Sequence, residues 1–263
     1  MNDEEVRQAL DQLGRIRDTV LANARLAPGD RVVDVGAGTG LLTLGALEHV
    51  GEDGTVYAVD PSVAALEELR SQVTRGGVYY LIGDAAVLPL PDGSADAAVT
   101  RSVLIYVDDL WDAAAELARV LRAGGRLSVF EPLNRHSTYI YNTVRWPDDL
   151  REQVLAEGDG YMSGRSGLLS FDEDEFQGLL SRAGFESIST DIREEWEDWL
   201  VTPEGADARL DAVPSADSPS LRDRWQEAFS PEEVSRLVDH LKGLAGTMVK
   251  FRRVSMFLSA VMG

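Results

Sequence analysis

The chain has 263 residues, 44% hydrophobic and 27% charged, the balance of one large globular domain with or without a cap. Lys and Arg number 25 against 45 Asp and Glu, a net charge of −20, so nucleic acid and anionic membrane surfaces are excluded as default partners. There is no cysteine, which excludes disulfides, thiolate metal sites and a cysteine nucleophile.

The start, MNDEEVRQAL, is acidic and lacks the basic flank and apolar core of a signal peptide. No apolar run approaches the ~18–20 residues that span a bilayer. A cytoplasmic protein with no membrane association is expected. Lys242 and Lys250 are the only lysines. Such an acidic, Arg-biased chain suits either a high-salt cytoplasm or a GC-rich genome.

Val6, Leu10, Leu13, Ile16, Val20 and Leu21 have helical spacing, and Pro28-Gly29-Asp30 ends that helix. Residues 31–35 form an apolar strand that runs into Gly36-Ala37-Gly38-Thr39-Gly40. A helix over 41–50 follows, then a strand over 55–59 ending at Asp60. A helix over 61–74 starts with Pro61 in its first turn. Strands are predicted over 78–82, 95–100 and 126–130, with a helix over 109–121 stopped by Gly124-Gly125. Alternating strands and helices imply a parallel sheet covered on both faces.

Past Pro132 the rhythm breaks. Residues 133–170 hold Tyr139, Tyr141, Trp146 and Tyr161 without a clean strand. A helix over 171–183 and a strand over 184–192 follow. Residues 195–246 read as acidic and mostly helical, interrupted by Pro203, Pro214 and Pro219. Within 194–199 the two tryptophans are expected to pack inward at i, i+3 of a helix whose acidic face is solvated. An apolar strand over 249–261 closes the chain. The expected organisation is a core over 1–132, a cap insertion over 133–170, core continuation over 171–194, a helical insertion over 195–246 and a final core strand over 247–263.

Glycines between a strand and a helix allow positive φ and close approach of backbone amides to a ligand. The helix start adds the positive end of its dipole. Asp60 can accept both hydroxyls of a ribose. A nucleoside cofactor follows. Dinucleotide sites require G-x-G-x-x-G, and the last position falls on Leu41, so the nicotinamide reading is disfavoured.

Val32-Val33-Asp34-Val35-Gly36-Ala37-Gly38-Thr39-Gly40 resembles the first motif of class I S-adenosylmethionine-dependent methyltransferases. Tyr57-Ala58-Val59-Asp60, Gly83-Asp84-Ala85 with Leu88 to Ser94, and Leu121 to Leu127 resemble the family's later motifs in order. The resemblance covers about residues 25–135. It implies an α/β, Rossmann-like seven-stranded sheet, last strand antiparallel, with helices on both faces and a helical cap. It also implies S-adenosyl-L-methionine as cofactor. Carried over by position, Gly36, Ala37, Gly38, Thr39 and Gly40 would line the methionine and ribose part. Asp60 with Pro61 would hold the ribose, Asp84 and Ala85 the adenine. Asp34 would orient the loop or the cofactor ammonium. Arg101 and Ser102 would lie on the sulfonium side, where family members often carry His or Asn.

The acceptor side is sought at the carboxyl ends of strands. His136 and Tyr106 are the catalytic candidates. Tyr106, Arg135, His136, Tyr139 and Tyr141 are the substrate-binding candidates, with surface pairing the rival reading for Arg135. His49 and His240 read as helix-surface residues. No ligand spacing for a metal is present. The expected function is methyl transfer to oxygen or nitrogen of a small molecule, in secondary metabolism, by a monomer or homodimer, with carbon left open as acceptor atom. The rivals are a non-methyl reaction such as cyclisation on the same fold, and a nucleoside-binding module without turnover. The lack of cysteine excludes a thiolate-dependent arsenic-methylating mechanism.

Overall fold

The computed structural model describes residues 3–163, 171–213 and 219–263. Its centre is one sheet of seven strands: β1 (Arg31–Val35), β2 (Thr55–Asp60), β3 (Val78–Ile82), β4 (Ala95–Arg101), β5 (Leu121–Pro132), β6 (Phe185–Leu200) and β7 (Met248–Met262). The spatial order is β3-β2-β1-β4-β5-β7-β6. Strands β1 to β5 are mutually parallel, and β7 inserts antiparallel between β5 and β6.

The chain leaves β1 in one direction and β4 in the other. The crevice above their carboxyl ends is therefore the switch point where open α/β sheets bind ligands. The registers Val35↔Val59, Val35↔Thr100 and Arg101↔Phe130 bring the ends of β1, β2, β4 and β5 level.

One sheet face is covered by α1 (Asp3–Ala24) and α2 (Leu41–Val50), which bury Val20, Leu21 and Ala46 against Val32, Val99, Phe130 and Phe257. At the β2–β3 edge, α3 (Val63–Gln72) packs Leu66 and Leu69 on Ala37 and Ala58. The other face carries α4 (Leu110–Val120) and α7 (Glu173–Arg182). Its core continues without a break into the segment after β5, with α5 (Ile140–Thr143) and α6 (Arg151–Ser163). It also takes in α8 (Pro203–Asp211), α9 (Leu221–Ala228) and α10 (Pro231–Gly243), which lie between β6 and β7. Trp146 and Trp225 meet edge to face at 5.2 Å in the middle of these helices, and the Trp146 indole donates to Tyr141 O at 2.8 Å. Trp146 thus packs inside the cap; the side chain of Tyr161 and Pro214 lie outside the described residues.

The sixth strand differs from the expectation. Residues 194–200 are strand, where a helical insertion from 195 was anticipated. Past the last β5 partner, Pro132↔Ser255, β6 and β7 continue alone from Glu194↔Val254 to Leu200↔Met248. At ~3.3 Å per residue this ribbon extends roughly 20 Å beyond the neighbouring strand. Its acids meet a basic partner strand: Lys250 pairs Asp198 at 3.3 Å and Arg253 pairs Glu197 at 3.1 Å. Cross-strand pairing outweighs the helix preference of a Glu-rich run. In a strand, positions i and i+3 face opposite ways. Trp199 is therefore buried at 7% exposure while Trp196 is 60% exposed, and both do not pack inward.

Among the described residues no helix is long and apolar enough to cross a membrane.

Candidate functional site

The loop after β1 is fixed from β2. Gly36 N and Ala37 N donate to Val59 O at 2.8 and 3.0 Å. Gly36, Gly38 and Gly40 have φ of +71°, +53° and +101°, and Gly40 caps α2 in the left-handed region. Their surroundings differ. A Cβ on Gly36 would stand 2.1 Å from Val103 Cγ2, and one on Gly40 2.2 Å from Leu69 Cδ1. Gly36 and Gly40 are thus required by packing. A Cβ on Gly38 would meet nothing within 4 Å, so the apex of the loop opens onto free space.

Asp60 ties this apex to the second strand. Its Oδ2 accepts from Gly38 N and its Oδ1 from Ser62 N, both at 2.8 Å. Each carboxylate oxygen retains a second lone pair for a ligand hydroxyl. Pro61 separates Asp60 from Ser62, whose hydroxyl caps α3 through Ala65 N. Asp34 faces inward from β1. Its Oδ2 accepts the Thr43 hydroxyl at 2.6 Å, which links β1 to α2. Burial pushes the Asp34 carboxyl up to about 7 against that hydrogen bond.

At the third strand, Asp84 is exposed and its Oδ1 accepts from Ala86 N and Val87 N at 2.8 and 3.0 Å, while Ala85 is buried. An ion pair on α4 holds the loop that follows. Glu116 accepts from Leu88 N at 2.7 Å; Arg119 donates to Leu88 O and Leu90 O at 2.9 and 2.7 Å. Arg119 also binds Glu116 at 2.6 Å, so the loop is clamped at both ends of one charged pair.

The fourth strand ends at Arg101. Ser102 then turns with φ +56°, rare for a non-glycine residue, and its N–H donates to Phe130 O. The turn Leu104–Tyr106 is held by Glu131 from β5, whose Oε1 accepts from Val103 N and Leu104 N, each at 2.9 Å. Glu131 thereby also sets Val103 against Gly36. Glu131 is fully buried, and burial pushes its carboxyl up to about 7. Arg101 is half-buried, and burial lowers its pKa against the charges of Glu131 and Asp34. Tyr106, 43% exposed, is close enough to act on Arg101 electrostatically.

The remaining candidates follow β5. His136 Nε2 lies 3.2 Å from Glu173 Oε1 on α7. Arg135 pairs with Asp172 at 2.6 Å and reaches Glu173 at 3.4 Å, the surface pairing weighed from the sequence. Tyr139 donates to Asn134 Oδ1 at 2.7 Å and stacks on Tyr141 at 5.9 Å. Tyr141 is buried at 4% exposure, with its ring where a side chain at Gly158 would have to go. It packs the cap, and Tyr139 is the more open of the two. His49 and His240 bond to backbone carbonyls, Gly45 O and Arg145 O, and His240 lies against Trp146.

The structure gathers Asp34, the glycine loop, Asp60, Arg101, Ser102 and Tyr106 around the switch point, with Asp84 at its far edge. His136 and Arg135 stand at the rim with α7. Sequence reasoning passed over Glu131 and the Glu116–Arg119 pair. The only signals for them were an acid closing an apolar strand and an i, i+3 ion pair on a helix.

A family model described as a methyltransferase domain matches residues 33–129. The ubiquinone/menaquinone biosynthesis C-methyltransferase UbiE of Vibrio vulnificus (strain YJ016) is 33% identical over 175 residues, 62% of this chain and 66% of its own. Its counterpart from Teredinibacter turnerae is 33% identical over 171 residues, 60% of this chain and 68% of its own. This chain thus spans about two thirds of the length of the curated relatives it matches. Among solved structures, the YcgJ protein of Bacillus subtilis aligns over 95% of this chain and 97% of its own with a TM-score of 0.58 and 18% identity, a likeness of fold.

Proposed function

Because this chain belongs to the class I S-adenosylmethionine-dependent methyltransferases, we propose that it transfers the methyl group of that cofactor to a small organic acceptor at the switch point. The observation that carries the reading is the glycine loop. Its apex amide is oriented by Asp60 at 2.8 Å, and the position where a Cβ would project is open space. The residues fit the cofactor on that ground. Gly36 to Gly40 would line its methionine and ribose part, Asp60 would accept ribose hydroxyls, and Asp84 with Ala85 would meet the adenine. When bound, the cofactor supplies an electrophilic methyl group for in-line displacement.

The chain's own work is then positioning, which accounts for much of such a rate. Glu131 fixes the turn that carries Tyr106. The Glu116–Arg119 clamp fixes the adenine-side loop. Glu173 accepts at His136 Nε2 and so leaves Nδ1 as the basic atom for an acceptor proton. The cap helices exclude water from the exchange. Oxygen or nitrogen is the acceptor atom expected from the sequence; the relatives are named for C-methylation, which supports carbon as a third. In this reading the enzyme works in the cytoplasm as a monomer or homodimer.

Thermal unfolding with S-adenosylmethionine, S-adenosylhomocysteine, NAD or no ligand tests the cofactor. At 100 times its dissociation constant a ligand adds about 2.7 kcal/mol, a shift of roughly 5–10 °C at this size. Stabilisation by the two sulfur nucleosides alone is expected. No shift at millimolar ligand, or a shift with NAD alone, overturns the reading. Formation of S-adenosylhomocysteine with an acceptor panel tests the reaction; turnover of an acceptor without it would identify a non-methyl chemistry.

A further inference from the structure

Arg101 is a half-buried cation at the end of β4, and its Nε is buried with no hydrogen-bond partner among the described residues. A guanidinium has five donors, and leaving a buried one unpaired is costly. Two buried carboxyls stand near. Asp34 Oδ2 is committed to Thr43, and Glu131 Oε1 to two backbone amides. Glu131 Oε2 is buried and also has no partner. Burial pushes both carboxyls up while the charge of Arg101 pulls them down.

The sheet order assigns the side. The groups that would hold the methionine, ribose and adenine lie at β1, β2 and β3, while Arg101, expected beside the sulfonium, lies on β4, paired with Phe130 of β5. The chain leaving β5 supplies Asn134, His136 and Tyr139 of the cap. Arg101 is therefore on the acceptor's side of the switch point.

We propose that Arg101 anchors a carboxylate of the methyl acceptor, so that the substrates are small organic acids. This rests on the site's binding S-adenosylmethionine, and deepens that reading. A guanidinium holds a carboxylate by two parallel N–H···O bonds, which fixes the acceptor's direction as well as its charge.

The test is calorimetric titration of the protein saturated with S-adenosylhomocysteine. The probes are benzoate, 4-hydroxybenzoate and 3-phenylpropanoate, each compared with its methyl ester. At least one acid is expected to bind ~10- to 100-fold more tightly than its ester, the worth of a charge-assisted hydrogen-bonded pair. Arg101→Gln should bring that acid to the level of its ester and leave the affinity for S-adenosylhomocysteine unchanged. Arg101→Lys should restore part of the preference, since it keeps the charge and loses the fork. Three results overturn the proposal: no acid preferred over its ester in the unaltered protein; a preference that survives Arg101→Gln; or a variant that loses affinity for S-adenosylhomocysteine but not for 5′-methylthioadenosine, which assigns Arg101 to the cofactor's own carboxylate. Failure of the unaltered protein to bind S-adenosylhomocysteine is a different result, and fails the cofactor reading instead.

Discussion

The two halves of the sheet are built on different kinds of constraint. In β1, β2 and β3 and their loops, the residues that matter lie next to one another in the chain or one strand–helix step apart. Gly38 is bonded to Asp60, 22 residues on, and Ser62 caps the next helix. In β6 and β7 the constraint is remote. Trp199 is paired with Val249, and Glu197 with Arg253 across 56 residues. The first half is fixed by turn chemistry, which short motifs express; the second is fixed by which distant strand arrives alongside.

Trp196 and Trp199 sharpen that contrast most. Trp199 stacks near Phe251 at 6.0 Å and lies beneath the Arg209 guanidinium at 4.7 Å. Trp199→Ala should cost about 3–5 kcal/mol, on the order of 10 °C in Tm. Trp196→Ala should stay within about 0.5 kcal/mol, because the side chain faces solvent. Equal losses from the two substitutions, read by thermal unfolding, would break the strand assignment and restore the inward-facing helix.

The second test sets the junction of the halves against the rest of the surface. Asp34 and Glu131 are buried carboxyls raised to about 7 from 3.8 and 4.5. A carboxyl raised on folding contributes stability that is present below its unfolded pKa and lost as pH rises through the folded one. Each should therefore cost about 3–4 kcal/mol between pH 4 and pH 8. Asp34→Asn and Glu131→Gln keep an accepting oxygen and should flatten this fall. Asp96 runs the other way: Arg31 and Arg122 hold it low, so its stabilisation is lost only in acid. Denaturant midpoints from pH 5 to 8 give the slopes, and variants that parallel the unaltered protein would show that these two groups do not set it.

The loop offers a test within the cofactor half. Gly36→Ala meets Val103 and a positive φ, and should cost roughly 2–4 kcal/mol in folding. Gly38→Ala meets no atom, so the backbone term alone applies, about 1 kcal/mol. Its effect should instead be loss of stabilisation by S-adenosylhomocysteine. If Gly38→Ala keeps that stabilisation, the open apex is not where the cofactor lies.

The loop after β1 and the ends of β1, β2 and β3 were legible because each rests on a local signal, Gly at a positive φ or Asp at a strand end; the helix expected to start at Pro61 starts two residues later, behind the Ser62 cap. Gly124-Gly125, expected to stop α4, instead lie within β5, because α4 already ends at Val120. Glu131 was not legible as an anchor, since the amides it holds are 27 and 28 residues earlier in the chain. The Glu116–Arg119 clamp was hidden for the same reason, its carbonyl partners lying 29 and 31 residues before Arg119. The extension of β6 was misread because its Glu-rich sequence carries a local helix preference and its basic partner strand is remote, with Glu197 and Arg253 56 residues apart. The candidates after β5 fall between these cases. Arg135, His136, Tyr139 and Tyr141 were identified by position, while their roles depend on α7 and on the packing of the cap.

Arg135 is where the smallest stability effect is expected. Its guanidinium and the Asp172 carboxylate are each 34% exposed, and the pair is made across a loop and a helix end. Water screens such a pair and two long side chains lose freedom in forming it, so Arg135→Ala should cost no more than about 1 kcal/mol, or 2–4 °C. A surface ion pair would change Tm by that little and leave kcat and KM in place, whereas an Arg135 that binds the acceptor would raise KM at almost the same Tm. The pair of readings, Tm and KM, therefore separates surface pairing from acceptor binding, at a position where stability alone says almost nothing.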